Sequence, residues 1–129
     1  MKRLAALSLL VSLSLATPVL AESAPYTPQP GSPERKAIMD AIRAKGDDTN
    51  RVFVVRNLKV MGGYAWTDVQ PRSTKNNDRF ENESALLEYT ASGWKVVDQP
   101  CGEEGCKTSA ELNRIRKAHP NAPAAIFPK

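Results

Sequence analysis

Both cysteines of the 129-residue chain fall in one short stretch, PCGEEGC, at residues 100–106. Cys101 and Cys106 enclose Glu103 and Glu104 and are lined on the inside by Gly102 and Gly105. Three chemistries use such residues: a thiolate metal site, a dithiol redox centre, or a disulfide. A structural zinc site needs four ligands and favours C-x2-C, so the two glutamates or His119 would have to complete this one. Carboxylates are poor companions for thiolates in such sites. A redox centre favours C-x-x-C. The spacing here fits neither, while the glycines let the backbone reverse. A disulfide between Cys101 and Cys106 is the expected reading. Closing a ring of about six residues stabilises by roughly 2 kcal/mol in the loop-entropy model.

Other reactive groups are scattered. His119 is the one histidine and stands directly before Pro120. It is a possible general base, but no nucleophile accompanies it in a recognisable motif, and a cationic residue is favoured at a helix end. The serines and threonines occupy caps and turns, and none sits in a G-x-S-x-G elbow. Asp47, Asp48 and Asn50 have cation-binding types but the composition of a solvated turn. Glu103 and Glu104 are adjacent and point apart more often than together, which disfavours paired acid–base work. There is no G-x-G-x-x-G and no P-loop. The expectation is no enzyme, no cofactor and no metal.

The first residues, MKRLAALSLLVSLSLATPVLAES, pair a basic start with an apolar run and a small-residue site at Val19 and Ala21. That is the pattern of a signal peptide over residues 1–21, too short in its apolar part to span a membrane. Its removal would leave 108 residues, enough for one domain, and take Lys2 and Arg3 with it, lowering the net charge from +4 to +2. So weak and interspersed a charge gives no nucleic-acid footprint. The expected location is periplasmic or secreted, without stable membrane insertion, where two thiols pair.

The remaining elements must position these groups. Residues 22–31 are proline-rich and aperiodic, which predicts a flexible arm. The segment SPERKAIMDAIRAKG then has Ser32 as N-cap, Pro33 at the first helical position and a stripe of Ala37, Ile38, Ala41 and Ile42. In RVFVVRNLKVMGGYAWTDVQP, Val52, Val54, Leu58 and Val60 share one face at period two, interrupted by Arg56. Phe53 and Val55 face the other way, so either both faces are covered or a bulge near Arg56 and Asn57 re-aims the strand. Gly62 and Gly63 form the hairpin turn. A second hairpin follows in ESALLEYTASGWKVVDQP. After the cysteine loop, Thr108 and Glu111 have capping-box spacing at the start of a short helix. The domain, residues 32–129, therefore reads as α+β: an N-terminal helix packed on a four-stranded antiparallel sheet of two hairpins, with a short C-terminal helix at the end.

The helix signature Arg35, Lys36, Ala37, Asp40, Ala41, Arg43 and the hairpin signature Phe53, Val55, Leu58, Val60, Gly62, Ala65 resemble a group of small exported bacterial proteins of uncharacterised function. Tyr64 stands where that group's pattern has tryptophan. The layout is also similar to cystatin-like and NTF2-like domains. The resemblance carries no catalytic residue across. Two expectations for function follow. The first is a non-catalytic binding module, possible as an inhibitor of an envelope enzyme, with an envelope protein or cell-wall component as partner. Its candidate surface comprises Tyr64, Trp66, Arg56, Glu103 and Glu104, the aromatics being hot-spot types if exposed and equally core types if buried. The alternative is a ligand-binding or hydrolytic pocket between helix and sheet, lined by Asp40, Arg56 or Asp68.

Overall fold

The computed structural model describes residues 24–46 and 50–129. The leader over 1–21 and the Asp47–Asp48 turn lie outside the described residues. Helix α1 spans Pro33–Arg43, and the Ser32 hydroxyl accepts from the Arg35 backbone N–H at 3.3 Å. Glu34 in the first turn and Arg43 in the last both oppose the helix dipole. The buried stripe is Ile38, Met39 and Ile42. Met39 faces inward and Ala37 is exposed, because the longer unbranched side chain removes more apolar surface from water.

Four strands follow in simple meander order: β1 Arg51–Met61, β2 Tyr64–Ser73, β3 Glu83–Thr90 and β4 Gly93–Asp98. All neighbours are antiparallel. The Gly62 and Gly63 φ angles of 60° and 78° suit the primed turn that matches the strand twist. Between Val55 and Asn57 the β1–β2 register slips, leaving Arg56 without a partner. This bulge decides the core. Ahead of it the odd positions Phe53 and Val55 face α1, and beyond it the even positions Leu58 and Val60 do. The bulge expected as one of two readings near Arg56 and Asn57 is present, and it separates Val52 and Val54 from the face of Leu58 and Val60: Val52 is 47% exposed.

The sheet is covered on both sides. One layer packs Ile38, Met39 and Ile42 of α1 against Leu58, Val60, Ala65, Val69, Ala85 and Leu87. The other seats Ile115 of helix α2, Thr108–Ala118, together with Ile126 and Phe127 of the tail, on Trp66 and Leu86. A one-turn 3-10 helix, Ala124–Ile126, shapes that tail. Two-sided burial explains why β2 and β3 carry consecutive buried apolar residues at Ala65–Trp66 and Ala85–Leu87. The second helix is therefore a covering layer rather than an appendage at the sheet's end.

From residue 24 the N-terminal segment runs along the sheet instead of standing free. Tyr26 and Val60 exchange backbone hydrogen bonds at 3.0 and 2.8 Å, and the Thr27 hydroxyl donates to the Leu58 carbonyl at 2.6 Å. The Arg35 guanidinium holds the Pro28 carbonyl at 3.2 Å. The outer edge of β1 needs main-chain partners, and residues 26 and 27 supply them. Proline content alone hides this, since proline is compatible with an extended edge segment.

Candidate functional site

The cysteine loop leaves the end of β4 and enters α2. Cys101 and Cys106 form a disulfide, with Cα atoms 5.9 Å apart. Both thiols are thereby accounted for, and the pairing indicates an oxidising environment. Every residue from 101 to 110 is exposed, yet the loop is fastened at several points. The Cys106 N–H donates to the Glu103 carbonyl at 3.2 Å, and the Cys101 N–H donates to the Glu111 carboxylate at 2.8 Å. The anticipated capping box is replaced by this clasp. Lys107 is the N-cap of α2 and makes no side-chain cap bond. Glu111 reaches outward to the loop because a charged acceptor gains more from an exposed, otherwise unpaired N–H.

Behind the clasp lies a compact ionic network. Arg114 donates to both Asp98 oxygens at 3.1 and 2.9 Å, to Glu111 at 3.2 Å, and to the Gln99 carbonyl at 3.1 Å. The imidazole Nε2 of His119, the C-cap of α2, lies 2.9 Å from Asp98. Burial alone would raise the Asp98 carboxyl, but hydrogen bonds from Arg114 and His119 outweigh it and hold the group below its usual range. The Cys101 N–H, followed by Arg114, lowers Glu111 in the same direction. Hydrogen bonds from Asp98 and Glu111 raise Arg114 further. The arrangement ties strand end, loop and helix together. His119, weighed from sequence as a possible base, is engaged here in holding β4 to α2.

This network carries a pH prediction. Both carboxyls titrate lower when folded than when unfolded. Their contribution is therefore complete above the ordinary values of 3.8 and 4.5 and disappears as pH falls through the folded values. Asp98→Asn is expected to lower Tm at neutral pH, and the gap to wild type should close as both are titrated toward about pH 2. Thermal melts across that range check it; a gap independent of pH would show that the carboxylate charge is not what matters.

The other sequence candidates are dispersed. Trp66 is 2% exposed, its ring centroid 5.3 Å from that of Phe127. It belongs to the second layer and offers no contact surface, which corrects its assignment to an interaction patch. Tyr64 is half-buried and donates to Glu88 at 3.3 Å; burial, reinforced by Glu88, pushes its phenol up. Arg56 is exposed on the bulge and donates to Gln70 at 2.8 Å. Glu103 and Glu104 are both at the surface of the braced loop. Asp40 faces solvent between Lys36 and Arg43, whose bonds at 2.6 and 3.0 Å lower it, Lys36 leading. The layer between α1 and the sheet is filled by the aliphatic side chains named above.

Sequence reasoning missed Tyr89. It is 62% exposed, its ring centroid 5.3 Å from that of Trp94 across the β3–β4 pair. The available signal was its position one residue inside a hairpin end, where the sheet has no further cover. Around α1 and β4 the surface is concave. A cavity of about 570 Å³ at the C-terminal end of α1 is lined by Ile42, Arg43, Arg51, Phe53, Glu83 and Gln99, among others. A groove of about 490 Å³ runs between α1 and β4. Among the described residues, no group of three or more His, Cys, Asp or Glu side chains is arranged to hold a metal ion, and no helix is long and apolar enough to cross a membrane. Compared with known proteins, the chain matches no family model, no curated protein and no solved structure.

Proposed function

We propose that the chain is an exported, non-catalytic interaction module of the bacterial envelope, akin to the small exported proteins it resembles, which displays its braced acidic loop to an envelope protein or cell-wall component. The observation that carries this reading is the state of residues 101–110. They are exposed throughout, yet are held by a disulfide, by Glu111 and by the ionic network behind it. Fixing an exposed loop costs conformational entropy, about 1–2 kcal/mol per residue for the backbone alone. A loop fixed in advance spares that cost when a partner binds. Glu103 and Glu104 make the displayed surface anionic, so a cationic partner surface fits it. The filled layer between α1 and the sheet supports this reading over an internal pocket.

The test is a photo-crosslinking residue placed at position 103 in the exported protein, with position 117 on the exposed side of α2 as reference. A discrete adduct from position 103 that is lost in Cys101→Ser is expected. Absence of any adduct from position 103 in intact cells would overturn the proposal for this loop. Periplasmic recovery after osmotic shock, with a product shorter by the leader, tests the location independently.

Reduction gives a further expectation. Because the bridge closes only a short ring, its loss should cost roughly 2 kcal/mol and leave the fold intact. Denaturation with and without reductant measures this, and unfolding in reductant alone would contradict it.

A further inference from the structure

We infer that the outer edge of β4 receives an extended, acidic segment of a partner protein as a fifth strand of the sheet. This rests on the reading of the chain as an interaction module and names a second contact on it, apart from the cysteine loop.

β4 has one strand neighbour, β3, in the sheet order. The Tyr89 N–H donates to the Gly63 carbonyl at 2.8 Å, so the Tyr89 main chain points toward β2 and away from β4. Trp94 stands opposite Tyr89, and Val96 opposite Leu87 two positions along. Both are therefore in the non-hydrogen-bonded positions of the β3–β4 pair, and their N–H and C=O groups point outward. The contrast with β1 is informative. That edge is bonded by Tyr26 and Thr27 over its second half and broken by the bulge at Arg56. These are the usual means of closing an edge to strangers. Among the described residues the β1 edge is covered, whereas β4, whose own register slips at Val97, stays uncovered from Trp94 to Val96.

The open edge also has a wall. The groove of about 490 Å³ lies between the C-terminal half of α1 and β4 and is lined by Ala41, Ala44, Lys45, Trp94, Lys95 and Val96. Helix on one side and strand edge on the other is the geometry in which an extended peptide adds to a sheet: main-chain bonds supply affinity and alternate side chains select sequence. Ala41 and Ala44 leave room for those side chains, and Trp94 and Val96 give an apolar floor. Both charged residues of the lining are cations, and no carboxylate lines it. Glu88, opposite Lys95 on β3, already accepts from Tyr64. The occupant is therefore a strand combining apolar and acidic residues. A second copy of this chain is disfavoured, because pairing two β4 edges brings the lysines of both copies together.

The test uses purified, disulfide-intact protein and a synthetic six-residue peptide of alternating valine and glutamate, matching β4 in length. Binding is read by fluorescence anisotropy and by backbone amide shifts. Saturable binding with shifts at Trp94 and Val96 is expected. N-methylation of the peptide's edge-facing amides should weaken it about tenfold, the equivalent of one or two hydrogen bonds. The double variant Lys45→Glu with Lys95→Glu should prefer the valine–lysine peptide instead. Val96→Pro, which removes one outward N–H, should weaken binding, and so should the second variant, Ala44→Glu, which fills the groove from the exposed C-cap of α1. No saturable binding up to about 1 mM, binding indifferent to N-methylation, or a solution dimer whose formation shifts the Trp94 amide would each overturn the proposal. An adduct at position 103 in cells alongside any of these would leave the loop reading standing and remove the edge alone.

Discussion

Replacing Trp66 by alanine is expected to cost about 3–5 kcal/mol, within the range for a fully buried tryptophan, while Tyr89→Ala should stay within about 0.5 kcal/mol. Trp66 lies between the rigid face of β2 and the covering layer of Ile115, Ile126 and Phe127. The sheet cannot move inward to fill the space, because its opposite face is packed on α1. The tail can collapse only partly, since the Phe127 ring also carries the Arg116 guanidinium, 5.2 Å from its centroid. Chemical denaturation of both variants, at unchanged m-value, measures the difference. A Trp66→Ala loss under about 1 kcal/mol would mean that the second layer contributes little to stability. Tyr89, with its ring tilted against Trp94 and its remaining surface in water, has little burial to lose.

Deleting Arg56 is expected to cost about 3 kcal/mol, far more than Arg56→Ala. Deletion restores regular alternation and turns Phe53 and Val55 away from α1, at about 1.5 kcal/mol or more for each apolar side chain withdrawn from a buried layer. Val52 and Val54 would take their places, but two valines do not fill the space of a phenylalanine and a valine. Phe53 would also leave the Arg43 guanidinium, now 5.1 Å from its ring centroid. Arg56→Ala keeps the extra residue and removes only an exposed side chain and its bond to Gln70. Equal stabilities for the deletion and the substitution would show that the bulge does not set the facing of β1.

These two residues mark where reading the chain in one dimension reaches its end. Arg56 in an apolar run was visible as a disturbance, and a bulge was one of two explanations for it. Which explanation held depended on whether the opposite face of β1 was covered there, and that is a property of packing. Trp66 was visible as a large aromatic beside a glycine turn, a description shared by core anchors and contact residues alike. Its fate was settled by α2 and the tail folding back over β2, more than forty positions later in the chain.

Local chemistry is written in neighbouring residues, and there the sequence sufficed. Ser32 and Pro33 start α1, Gly62 and Gly63 turn the first hairpin, and Cys101 and Cys106 close their own ring, because each acts over a few bonds. The α+β class follows from the order of those elements. What tertiary structure alone decided were the long-range pairings: the arm on the edge of β1, Glu111 clasped to Cys101, and Asp98 drawn to Arg114 and His119. Each joins groups whose separate sequence contexts admit other partners, and only the packed chain brings one of those partners within reach.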